Sequence, residues 1–99
     1  MDKAAFISTR AHLEQAGFVI DGGTYDDAAF GSWWLTLHEK PRLRVLWDGR
    51  DGWVLLQRET NERFQGSVVW HDLWIGRART DHTVETILAK VREACVTSA

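Results

Sequence analysis

The chain has 99 residues, 44% of them apolar and 26% charged, with eight Gly, one Pro and a formal net charge of −2. Collagen-like and low-complexity disordered classes are excluded, and one core is all that such a length supplies. One cysteine, Cys95, excludes an internal disulfide, no stretch approaches the ~20 apolar residues of a membrane span, and Met1-Asp2-Lys3-Ala4 lacks the layout of a secretory signal; a single cytoplasmic domain over 1–99 is expected.

From Lys3 to Ala16 there is no Gly or Pro, and Ala5, Phe6, Thr9, Leu13 and Ala16 fall on one helical stripe. Gly17 is placed to end that helix, and Phe18 to Ile20 form a short apolar segment that could add an edge strand. Residues 21–29, with Gly22, Gly23, Asp26 and Asp27, read as a surface loop. Residues 30–38 alternate as a strand up to Lys40-Pro41, and residues 42–48 alternate again. Two Asp-Gly pairs in Asp48-Gly49-Arg50-Asp51-Gly52 mark a hairpin. Residues 53–59 form the third strand, 61–66 a connection and 67–75 the fourth strand. Within that last strand, hydrophobicity does not decide whether Trp70 and Trp74 face in or out. Thr80 and Asp81 are N-cap candidates for a second helix whose stripe is Val84, Ile87, Leu88, Val91 and Cys95.

The fold class is therefore α+β: a four- or five-stranded antiparallel meander in the order α-β-β-β-β-α, both helices packed on one face. Hairpins symmetric about Lys40 and Arg50 set a register. In it, one face carries Trp33, Trp47 and Trp53, then Leu35, Val45 and Leu55, then Leu37, Leu43 and Gln57. This is the core face. The other carries Trp34, Leu46 and Val54, then Thr36, Arg44 and Leu56, then His38, Arg42 and Arg58. A water-facing side of an antiparallel sheet is ordinarily polar, so this mixture of Trp, Leu and Arg is the sequence's one anomaly.

Charge is regional: two basic and six acidic side chains lie in residues 1–39, eight and five in 40–79, two and three in 80–99. The six tryptophans lie between residues 33 and 74, four of them in the basic portion and Trp33 and Trp34 just before it. Trp and Arg are the residues interfaces concentrate. Trp34, Arg42, Arg44, Leu46, Val54 and Arg58 are accordingly the expected contact surface for another protein, the chain serving as an adaptor, inhibitor or immunity-type partner. The same face could instead pair two copies as a homodimer, or stack single-stranded nucleic acid on Trp34 beside Arg42, Arg44 and Arg58. The α–β–β–β–α order resembles that of double-stranded RNA-binding domains, in element order alone. Asp81, His82, Thr83, Val84 and Glu85 lack the basic start of the last helix which that family uses, and the net charge of −2 argues against a polyanion.

Enzymatic chemistry rests on His38 and His71, should the fold bring them together beside Asp48 or Asp51. His71 and Asp72 are neighbours on a strand and point to opposite faces. No catalytic residue, metal site or cofactor is assigned: the four histidines lack ligand spacing, Cys95 sits on an apolar stripe, and Gly22-Gly23 is followed by acidic residues that repel phosphate.

Overall fold

The computed structural model describes residues 1–97; the last two residues of the domain expected over 1–99 lie outside them. Helix α1 spans Lys3–Gln15 and opens on Asp2, whose Oδ1 accepts the Ala5 N–H at 3.0 Å. It closes as a Schellman motif: Gly17 takes a left-handed φ of +97°, its N–H donates to Glu14 O, and Phe18 N–H donates to Leu13 O.

Five antiparallel strands follow, β1 Ile20–Asp26, β2 Ser32–Leu37, β3 Leu43–Asp48, β4 Trp53–Phe64 and β5 Ser67–Gly76. They form one meander in sequence order. A 3-10 turn, Arg79–Asp81, leads into helix α2, Val84–Thr97. That helix is capped by Thr83, whose Oγ1 accepts the Thr86 N–H, and not by Thr80 or Asp81; Asp81 instead accepts the Ala78 N–H and closes the 3-10 turn.

Both helices lie on one face. Leu13 of α1 and Ile87, Val91 and Ala94 of α2 are buried with Trp33, Leu35, Leu37, Leu43, Val45, Trp47, Val54 and Leu56 of the sheet. Phe6 of α1 packs its ring 5.6 Å from that of Trp33, and His82 meets the Trp47 ring edge-on at 4.9 Å.

Register decides which side chains join this core. Between β2 and β3 it is the symmetric one, with Trp33 opposite Trp47, Leu35 opposite Val45 and Leu37 opposite Leu43. Lys40-Pro41, in the connection, is a cis peptide. Between β3 and β4 the register is one residue off the expected symmetry, with Trp47 opposite Val54 and Val45 opposite Leu56. The cause is the turn. Asp48 Oδ1 accepts the N–H groups of Arg50 and Asp51, and Gly52 N–H donates to Asp48 O, so four residues, not three or five, separate the paired Asp48 and Trp53. Every β4 side chain thereby changes face. Val54 and Leu56 go into the core, while Trp53, Leu55 and Gln57 go outside.

Two further expectations change, and one alternative left open is resolved. Most of the 21–29 stretch is strand, because Gly22 and Gly23 can lie against β2 where a Cβ would meet Thr36 Oγ1 at 2.7 Å or Leu35 Cδ2 at 2.8 Å. Residues 61–64 belong to β4, and the connection is the two-residue turn Gln65-Gly66, both at positive φ. Finally, pairing between β4 and β5 jumps from Leu56–Trp74 to Gln57–Asp72, leaving Leu73 as an extra residue. This bulge resolves Trp70 and Trp74: Trp74 packs on the core, whereas Trp70 reaches the outer face.

Candidate functional site

The face opposite the helices is crossed by three rows of side chains. The central row runs Thr24, Trp34, Leu46, Leu55 and Ile75, one residue from each strand. Trp34 keeps 39% of its surface exposed, and Leu46, Leu55 and Ile75 are half-buried by their neighbours. To one side lie Thr36, Arg44, Gln57 and Asp72, with Asp21 beside Gly22 at the β1 end. To the other lie Asp26 and Ser32, then Asp48 and Trp53, then Arg77 just past β5, its guanidinium 4.7 Å from the Trp53 ring centroid.

The polar row is internally connected. Arg44 Nε donates to Gln57 Oε1 at 2.8 Å, Gln57 Nε2 donates to Asp72 Oδ1 at 2.8 Å, and the Arg44 guanidinium stacks 4.5 Å from the Trp70 ring centroid. Burial holds the Arg44 pKa below the ordinary arginine value, opposed by the Asp72 charge. At the β1 end Thr36 Oγ1 donates to Asp21 Oδ1 at 2.6 Å, and Arg42 grips the same carboxylate through Nε and Nη2, each at 3.0 Å. The Arg42 hydrogen bonds lead in lowering the Asp21 pKa, with Thr36 and the Arg42 and His38 charges adding and burial opposing. Both arginines are engaged by partners within the chain, Arg42 by Asp21 and Arg44 by Gln57 and Trp70.

Of the six residues expected on this surface, Trp34, Arg42, Arg44 and Leu46 are there. Val54 is not: it is 0% exposed, in the core. Nor is Arg58, which stands opposite buried Leu43 on the helix side. Both corrections come from the same one-residue shift. The β4 residues that replace them, Trp53, Leu55 and Gln57, would have followed from an even-length Asp48–Trp53 turn; the bulge that brings Asp72 and Trp70 to this face leaves no sequence signal.

The catalytic arrangement does not assemble. His38, exposed at the end of β2, lies 3.7 Å from Asp21, while His71 is on β5 with β3 and β4 between them. His71 stands opposite Arg58, and Asp72 opposite Gln57 on the other face. Among the described residues no three His, Cys, Asp or Glu side chains gather to hold a metal ion. Cys95 is half-buried, its thiol pushed up by burial and by the Glu39 charge, which disfavours the nucleophilic thiolate. No described helix is long and apolar enough to cross a membrane.

No family model matches the chain, and neither a curated protein nor a solved structure does.

Proposed function

We propose that the protein is a small non-catalytic binding domain, an adaptor, inhibitor or immunity-type partner, that presents the outer sheet face to another polypeptide. One observation carries this reading: the row Trp34, Leu46, Leu55 and Ile75 crosses four strands on the face that neither helix covers. An apolar band of that length, rimmed by polar groups, is the anatomy of an interface core with its rim. Trp53 and Trp70 are already stacked under arginines, so the surface loses little side-chain entropy on contact. Polypeptide is favoured over nucleic acid because Arg42 is ion-paired to Asp21 and Arg44 is linked through Gln57 to Asp72, which leaves little net positive charge to displace counterions. A reducing compartment, the cytoplasm, suits the free Cys95.

The test is a photo-cross-linking amino acid at position 34 in native lysate, with position 92 on the exposed side of α2 as control. Protein adducts from 34 that are missing from 92 are expected. Equal labelling from both, or none from 34, overturns the reading.

A further inference from the structure

From the arrangement of charge on the outer face we infer that its partner is a second copy of this chain, seated face to face about a two-fold axis that runs across the strands. The inference rests on the binding reading above and specifies its occupant.

Two sheets stacked about 10 Å apart with their strands aligned to within about 30° can be related by a two-fold axis between them in two ways. An axis along the strands, over β3, lays β1 of one copy on β5 of the other. Asp21 then faces Asp72 of its mate, Arg44 faces Arg44 and Asp48 faces Asp48, three like-charge meetings against one complementary pair, Asp26 with Arg77. An axis across the strands, over the apolar row, lays each strand on its own counterpart. Trp34, Leu46, Leu55 and Ile75 then cover their own copies, and the polar row on one side faces the row on the other side.

In that second arrangement the charges are complementary. On β3, Arg44 faces Asp48; beside β5, Asp72 faces Arg77; on β2, Thr36 faces Ser32; on β4, Gln57 faces Trp53. Two-fold symmetry makes each pairing twice. The single like-charge meeting, Asp21 with Asp26, is at the sheet edge, where Arg42 already neutralises Asp21. Only the across-strand axis joins an apolar centre to a charge-matched rim.

The test exploits that symmetry with two exposed residues, Asp72 and Arg77. Sedimentation velocity of the full chain over a concentration series is expected to show a reversible dimer. Asp72→Arg alone sets Arg against Arg77, and Arg77→Asp alone sets Asp against Asp72, each weakening self-association at least about tenfold. Mixed in equal amounts, the two variants restore opposite charges at both contacts. The arginine introduced in one copy meets the aspartate introduced in the other, the unaltered Arg77 meets the unaltered Asp72, and dimer returns to the wild-type level. Leu55→Glu, on the axis, gives monomer with unchanged circular dichroism and checks the face independently of the rim.

Wild type that stays monomeric at about 1 mM, the weak end of specific association, overturns the inference, and so does a mixture no more dimeric than its components. A monomer that still cross-links from position 34 to a different protein removes the second copy and leaves the binding reading intact. Monomer without any adduct removes both.

Discussion

The two faces of the sheet are built from the same strands and almost the same residue types, yet they do opposite work. On the inner face Trp33, Leu35, Val45, Val54 and Leu56 are sealed beneath α1 and α2. One residue along each strand, Trp34, Leu46 and Leu55 meet no helix. Hydrophobicity alone therefore does not assign a side chain here; parity does, and parity is set at the turns. The apolar row left on the second face is the feature on which the proposed contact rests.

The largest expected difference between the faces is Trp33→Ala against Trp34→Ala. The first empties a fully enclosed site and should cost about 3–5 kcal/mol, enough to threaten folding; the second should cost about 1 kcal/mol or less. Urea denaturation of both reads this directly. Next is the register. Val54→Asp places an unpaired carboxylate in the core and should unfold the chain, whereas Leu55→Asp should keep native circular dichroism. Reversal of that order would mean that β4 is paired as the symmetric hairpin requires.

A smaller effect belongs to the outer rim. The depressed pKa of Asp21 means that its pairing stabilises the fold above the ordinary carboxylate range, and that this contribution is lost as pH falls through the folded value. Asp21→Asn should thus cost about 0.2–1 kcal/mol near neutrality and little in strong acid, with thermal unfolding across pH as the measurement. Smallest is the core side of α1, where the buried Thr9 hydroxyl has no hydrogen-bond partner among the described residues. Thr9→Val removes that buried polar atom at nearly constant shape and should be near neutral or slightly stabilising by urea denaturation.

Much of the fold is legible in the sequence because the signals are local. The stripe on α2, the Gly17 stop and the alternation of residues 32–37 with 43–48 each repeat a period that one kind of element satisfies. What escapes is parity. Asp48 could close a hairpin of either odd or even length, and its two backbone hydrogen bonds choose four residues, which moves Val54 and Arg58 off the candidate surface. The Gly22-Gly23 pair looks like a turn because its reason for being glycine, the close approach of Thr36 and Leu35, is a tertiary one. The Trp70–Trp74 ambiguity had no answer in either alternating pattern, since the Leu73 bulge puts each on a different face.

Which β4 side chains face solvent decides whether the outer row exists. Methyl NMR of the Asp72→Arg variant, at a dilution where sedimentation shows monomer, with a water-soluble paramagnetic agent separates the two sets. Broadening of Leu46, Leu55 and Ile75 while Val45, Val54 and Leu56 stay sharp is the expected result. Protection of Leu55 together with broadening of Val54 and Leu56 would contradict it.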